Sequence, residues 1–294
     1  MRRAWPVAKR TITSFYDDQM THHAAALTYY ALMSLFPALL LGVSLLGLLG
    51  QFPETYEAIL SYLRDVAPDT TLDTVDAALR HALRSKGTAA GALAVGIVTT
   101  LYGTTGALEA ARRALNVVFD VENGRGFLRR KATDVVSSVV LMGLVLATLI
   151  LVFVGGGLAE DLLGFAGLGS TAASVWAVAR WPAALAVATL VFALIYYVTP
   201  DVEQRGFRWI TPGAVAAVAV WIVASVGFSS YLSNLGSLNA TYGSFTAAII
   251  LIFWLWLTNV ALLFGAELNA EIEREKELQE GVPEAETLRL RERG

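Results

Sequence analysis

The sequence predicts an all-α integral membrane protein. It should have six transmembrane helices, both termini in the cytoplasm, and two amphipathic helices in the first extracytoplasmic loop. Three observations lead there. Of 294 residues, 55% are hydrophobic and 16% charged, against roughly 25% charged in soluble domains. The charges are bunched, leaving uncharged stretches between Asp18 and Glu54, Lys86 and Glu109, Asp134 and Glu160, Arg180 and Asp201, and Arg208 and Glu267. Lysine and arginine also concentrate in alternate connections. A bilayer core of about 30 Å needs about 20 apolar residues in a helix. Each gap therefore holds one span, and the longest holds two because SNLGSLNATYG (233–243) interrupts it.

The spans fall near 24–50, 88–108, 135–158, 177–198, 210–232 and 244–268. On one side lie Arg2, Arg3, Lys9 and Arg10, then Arg112, Arg113, Arg125, Arg129, Arg130 and Lys131, then Arg205 and Arg208, and the five basic residues beyond 270. Only Arg64, Arg80, Arg84, Lys86 and Arg180 lie on the other. Basic short loops stay cytoplasmic, which puts both termini inside. The first 20 residues have no short apolar core with a cleavage site and do not read as a signal peptide. Residues 1–275 form a single membrane domain, and 276–294 a charged cytoplasmic tail.

Span two (TAAGALAVGIVTTLYGTTGAL) is built of small residues that let backbones approach closely, so it is expected in the interior. Spans three and six, with bulkier side chains, are expected to face lipid. Pro182 and Pro212 are placed in first helical turns, where proline costs little, and Pro37 inside span one, where it should kink the helix.

Residues 51–87 carry two helical stripes. Tyr56, Ile59, Leu60 and Leu63 make the first, and Leu72, Val75, Leu79 and Leu83 the second, with Asp69 or Thr70 as N-cap. They read as a structural cap on the bundle, or as a lid or a helix resting on the outer leaflet.

A charge within a membrane helix is costly and marks function by default. Here the ionisable groups sit at span ends. His22 and His23 precede span one, Glu109, Arg112 and Arg113 end span two, Asp134 opens span three, and Glu267 and Asn269 close span six. All fall on the cytoplasmic side, so carboxylates from three helices can form one polar cluster with arginines. The competing reading makes each an interfacial anchor or a structural pair, such as Glu267 with Arg112 or Arg113. Arg125, Arg129, Arg130 and Lys131 are candidates for anionic lipid headgroups. The chain has no cysteine and three histidines, and the adjacent His22 and His23 point about 100° apart on a helix. No metal and no cofactor are expected.

Four stretches resemble the YihY/BrkB family of bacterial inner-membrane proteins, once widely labelled ribonuclease BN: AAALTYYALMSLFPALL (24–40), LNVVFDVENGRGFLRRK (115–131), YYVTPDVEQRGFRWITPGAVAAVAVW (196–221) and YGSFTAAIILIFWLWLTNVALLFGAELNAEIER (242–274). The resemblance runs in order through nearly the whole chain. It marks Tyr29, Ser34, Pro37, Pro200, Pro212, Gly213, Tyr242, Gly243, Ser244 and Gly265 as structural positions of the motif. It implies a six-helix, multi-pass protein of the bacterial inner membrane whose activity is not settled.

Ribonuclease chemistry needs a base, metal or nucleophile in a basic groove, and no soluble segment here is large enough to hold one. Neither an enzyme nor a nucleic-acid partner is expected. Three functions remain open. The first is handling or translocation of a lipid or lipid-linked envelope component, with membrane lipids as partners. The second is a small-solute permease. The third is a non-transporting envelope scaffold, with a second copy or an envelope protein as partner.

Overall fold

The computed structural model describes residues 4–48, 86–121, 126–153, 170–202, 211–234 and 246–280. They form helices α1 (Ala4–Asp17), α2 (Met20–Leu48), α3 (Lys86–Val118), α4 (Phe127–Phe153), α5 (Ser170–Val198), α6 (Pro212–Asn234) and α7 (Thr246–Gln279). All six apolar stretches are thus helical where described. Among the described residues four helices, α4 to α7, are long and apolar enough to cross a membrane. No more than 22% of each apolar window is buried within the protein, so most of that surface needs another apolar medium. The amphipathic pair expected over 51–87 lies outside the described residues, except that Lys86 and Gly87 open α3.

Three features depart from the sequence reading. The N-terminal tail is a helix. Val7, Thr11 and Phe15, four residues apart, form its buried stripe, while Trp5, Ile12 and Tyr16 are exposed on another face. Pro182 lies inside α5 rather than in its first turn, because the helix begins at Ser170. The proline ring therefore leaves the carbonyl of Val178 without its helical donor. Finally, α7 does not end near 268. Its polar extension is made of good helix formers with pairs one turn apart, Arg274–Glu271 at 3.4 Å and Lys276–Glu273 at 2.6 Å, which carry the helix on to Gln279.

The chain gathers into two compact units. One comprises Met1–Ala25, Leu108–Gly227 and Leu257–Gly294, the other Ala26–Ala107 and Phe228–Trp256. In the second unit α2 and α3 approach closely. A side chain at Gly103 would come within 2.9 Å of Ser34 Cβ, and one at Gly106 would meet the Tyr30 ring at 2.9 Å. Tyr29 is 58% exposed. The Phe228 and Phe253 rings lie 5.1 Å apart, with Trp256 5.5 Å from Phe253.

In the first unit α4 packs along α5. The end of α3, at and beyond residue 108, is buried through Leu108, Ala111, Ala114 and Leu115, whereas within the span expected in the interior Val98 and Tyr102 are exposed. Residues 261–271 of α7 are largely buried, whereas Ile249, Ile252 and Phe253 are exposed. Only the early part of span six thus has the open apolar face expected of it.

The tightest crossing joins α6 to α7. A Cβ at Gly213 would collide with the Gly265 carbonyl. A Cβ at Gly265 would collide with the Gly213 carbonyl and come within 2.5 Å of the Tyr196 hydroxyl and 2.6 Å of Ala217 Cβ. That approach lets Tyr196 donate to the Leu262 carbonyl at 2.5 Å and Trp221 Nε1 to Thr258 Oγ1 at 3.0 Å.

It also lets Asn269 cap α6. Thr211 Oγ1 accepts from the Ala214 N–H at 3.1 Å, Pro212 has no N–H to satisfy, and Asn269 Oδ1 accepts from Gly213 N at 2.8 Å. The unpaired donors of the first turn thereby find acceptors, one on the residue just before α6 and one on a neighbouring helix.

Gly265→Ala should lower the thermal unfolding midpoint in detergent by the equivalent of about 1–3 kcal/mol, the usual cost of overpacking. Gly227→Ala on α6, whose Cβ would meet nothing within 4 Å, should leave it unchanged or raise it. Equal midpoints for the two variants would remove the crossing as a determinant of stability.

Candidate functional site

Two buried polar nodes lie in the first unit. The first is built on α3. Glu109, Arg112 and Arg113 follow one another within little more than a turn, and helical spacing sends the two arginines different ways. Arg113 is 72% exposed and reaches Glu109 at 3.6 Å. Arg112 is 1% exposed and can persist there only with carboxylates around it. It grips Asp134 at the start of α4 through both terminal nitrogens. Its Nη1 donates to Glu109 Oε2 at 2.6 Å and its Nε to the Thr199 carbonyl at 3.2 Å. Asp201 Oδ1 stands 3.8 Å from Nε. Glu109 also draws in Arg130 at 3.7 Å.

Asn116, one turn beyond Arg112, completes this node. Its Oδ1 accepts from the Asp201 backbone N–H at 2.9 Å, and its Nδ2 donates to Asp201 Oδ2 at 3.3 Å. Asp201 is fully buried and held at both its backbone and its side chain. The segment leaving α5, Thr199-Pro200-Asp201, is therefore fastened to α3. The end of α3 is shaped for this by a left-handed Asp120 (φ 50°). Val121 N bonds to the Asn116 carbonyl at 2.9 Å and Asp120 N to the Val117 carbonyl at 3.1 Å, a Schellman closure.

The second node joins α1 to α7. Arg10 Nε donates to Glu271 Oε2 at 2.7 Å and its Nη2 to Glu275 Oε2 at 2.7 Å. Ser14 Oγ donates to Glu271 Oε1 at 3.1 Å. The hydrogen bond that Arg10 donates to Glu275 does most to raise its guanidinium above the ordinary value. After Asp17 the chain turns through a left-handed Gln19 (φ 53°), whose carbonyl accepts from His22 N at 2.9 Å to open α2. Asp18 sits in this turn, where burial raises its carboxyl above the ordinary value. Glu267 is 1% exposed, and among the described residues no donor reaches its Oε1.

The sequence-predicted residues are thus distributed rather than pooled. Glu109, Arg112, Arg113 and Asp134 meet in the first node. Glu267 lies on α7 beside the second node, and the pairing with Arg112 or Arg113 considered for it is not formed: Arg112 is taken up by Glu109, Asp134 and Asp201, and Arg113 reaches Glu109. Asn269 serves as a cap. His23 lies near Asp18 and His22 is exposed. Of the headgroup candidates Arg129 and Lys131 are exposed, Arg130 is half-buried, and Arg125 lies outside the described residues. Among the motif positions Pro200 is fully buried, Pro212 opens α6, α2 runs through Pro37, and Tyr242, Gly243 and Ser244 lie outside the described residues.

Sequence reasoning passed over Arg10, Asp18, Asn116, Asp201 and Glu271. The one available signal for Asp201 was its place in a motif, beside Pro200.

A sequence profile of the family described as Virulence factor BrkB matches residues 11–289. The chain belongs to the BrkB family. Its relatives include the ribonuclease-like protein YfkH of Bacillus subtilis, 31% identical over 263 residues, or 88% of this chain and 92% of the relative. A UPF0761 membrane protein of Pseudoalteromonas translucida is 30% identical over 275 residues, 92% of this chain and 86% of the relative. One from Alkalilimnicola ehrlichii is 28% identical over 262 residues, covering 88% of this chain and 55% of the relative. No solved structure matches. This BrkB protein is a polytopic membrane protein, and the names of the two UPF0761 relatives, both membrane proteins, specify no reaction. The two nodes above are therefore the chemistry on which a reading of this BrkB chain must draw.

Removing one partner of a buried charge network costs about 3–5 kcal/mol. Arg112→Met should therefore unfold or severely destabilise the protein, while Arg113→Met, one residue away, should change stability by no more than about 0.5 kcal/mol. Thermal unfolding of the two variants in detergent checks this. Similar midpoints would mean that the node does not hold the first unit together.

Proposed function

We propose that the protein is a six-span inner-membrane protein, with both termini in the cytoplasm, that handles or translocates a lipid or lipid-linked envelope component. The observation that carries this reading is the outer face of α4. Leu128, Val135, Val136, Val139, Val140 and Leu146 are 38–83% exposed along one side of the helix. At its start the exposed Arg129 and Lys131 stand beside Arg113 and Arg130, which converge on Glu109. Basic groups over an apolar face complement an anionic headgroup and its acyl chain. The exposed Trp5, Ile12 and Tyr16 of α1 give that helix the aromatic, apolar face of an element lying at the membrane interface.

The buried charges favour a second reading, a small-solute permease. Charged groups within membrane segments mark ion and substrate paths, and Glu267 and Asp201 lie deep in the first unit.

Native mass spectrometry of protein gently extracted from its own membrane separates the two. Lipid handling predicts an anionic lipid in near-stoichiometric amount, depleted several-fold by the double substitution Arg129→Gln and Lys131→Gln. A wild-type protein free of lipid would shift the weight to the permease, or to a scaffold if no solute moves either. Orientation is open to cysteine labelling, since the chain has no cysteine of its own. Ser61→Cys should react with an impermeant maleimide in intact spheroplasts, and Ala285→Cys only after lysis; the reverse pattern would refute the topology.

A further inference from the structure

Glu109 meets more positive charge than the packing of α3 against α4 requires. Arg112 Nη1 donates to its Oε2 at 2.6 Å, and Arg112 also grips Asp134, which already ties the two helices together. Two further guanidiniums come to the same carboxylate from different helices. Arg113 Nε on α3 stands 3.6 Å from Oε1, and Arg130 Nε on α4 stands 3.7 Å from Oε2. Both contacts exceed hydrogen-bond length.

Exposure sets these two apart from Arg112. Arg113 is exposed, and Arg130 and Glu109 are half-buried. Ion pairs open to water contribute little to stability, so adhesion does not account for them. What they add is position. One guanidinium from each helix flanks one carboxylate, at the water-facing edge of the node. Arg112 answers the charge of Glu109 at the shorter distance, so Glu109 spaces the outer pair without cancelling it.

Two guanidiniums held in this way select among phosphates. Each is a planar fork that meets two oxygens at once. A phosphodiester has two unesterified oxygens and about one negative charge, enough for one fork. A terminal phosphate has three such oxygens and about two charges at neutral pH, enough for both.

We propose that Arg113 and Arg130 form a binding site for a terminal phosphate group, such as a phosphomonoester or the end of a diphosphate. This deepens the lipid reading and rests on it for the source of the phosphate. The exposed stripe of α4 begins at Leu128, ahead of Arg130, and continues through Val135 and Val139, the surface an acyl chain would cover. A soluble phosphorylated compound presents the same group without the chain.

Native mass spectrometry of the full-length protein in detergent tests this with defined lipids. The probes are phosphatidic acid, which ends in a phosphomonoester, and phosphatidylglycerol, a phosphodiester with matched acyl chains. At about pH 8 the unaltered protein should retain phosphatidic acid roughly fivefold or more over phosphatidylglycerol. Arg113→Met should bring that ratio close to one. Lys9→Met, which removes an exposed cation from α1, should leave it unchanged. Should Arg113→Met not fold, Arg130→Met decides in its place.

Inorganic phosphate is the third probe. If it raises the thermal midpoint of the unaltered chain but not of Arg113→Met, while neither lipid is retained, the site stands and its ligand is soluble. The lipid reading then fails alone. Equal retention of both lipids by the unaltered chain overturns the proposal and leaves lipid handling intact. A preference that survives Arg113→Met overturns it too, as does an equal loss in Lys9→Met, which would reduce the effect to bulk charge. Retention of neither lipid, with no response to phosphate, overturns both.

Discussion

A guanidinium withdrawn from water must take its counter-charges with it, and Arg112 draws them from three parts of the chain. Glu109 comes from its own helix, Asp134 from the start of α4, and Asp201 with the Thr199 carbonyl from the segment that leaves α5. Such a network contributes less net stability than its bond count suggests, because desolvation offsets much of the attraction. Its larger effect is on register. A slip of one residue along α3 would carry the guanidinium about 100° around the helix, away from Asp134 and from the Thr199 carbonyl together. Arginine suits the position because its planar fork meets a carboxylate through two nitrogens while Nε faces elsewhere. Asn116 extends the same fastening by one turn.

The crossing of α6 and α7 obeys the same constraint with neutral groups. Where a bilayer excludes water, each backbone donor must be met from within the protein. The beginning of α6 meets that demand through Thr211, Pro212 and an amide on the neighbouring helix. Asn269 reaches Gly213 only because Gly213 and Gly265 have no side chains to hold the backbones apart. Cap and crossing are thus one device. A polar residue that looks like a site member from its place near charged neighbours is committed to backbone accounting.

How much of this was legible in the sequence follows from which forces are local. The apolar stretches were legible because a span must exclude charge over a fixed length, and each proved helical where described. The helix ends were not, since Glu271 to Gln279 continue α7 on propensity and short-range pairs that hydropathy does not register. The N-terminal helix was missed because its buried stripe is only Val7, Thr11 and Phe15, with a threonine in the middle. The arginine node was half legible. Arg112, Glu109 and Asp134 could be named as cluster candidates from their place at span ends, but only the fold distinguishes Arg112 from Arg113, or reveals that Asp201 returns from 89 positions away.

The two nodes therefore differ in kind. Around Arg112 the buried carboxylates face a guanidinium, the Asn116 amide and a backbone N–H. Around Glu267 the donors that α1 and α7 supply go to Glu271 and Glu275 instead, and among the described residues none reaches its Oε1. A buried carboxyl oxygen that no donor meets adds no adhesion, so α1 is held to α7 by Arg10 and Ser14 through Glu271 and Glu275, one and two turns beyond Glu267.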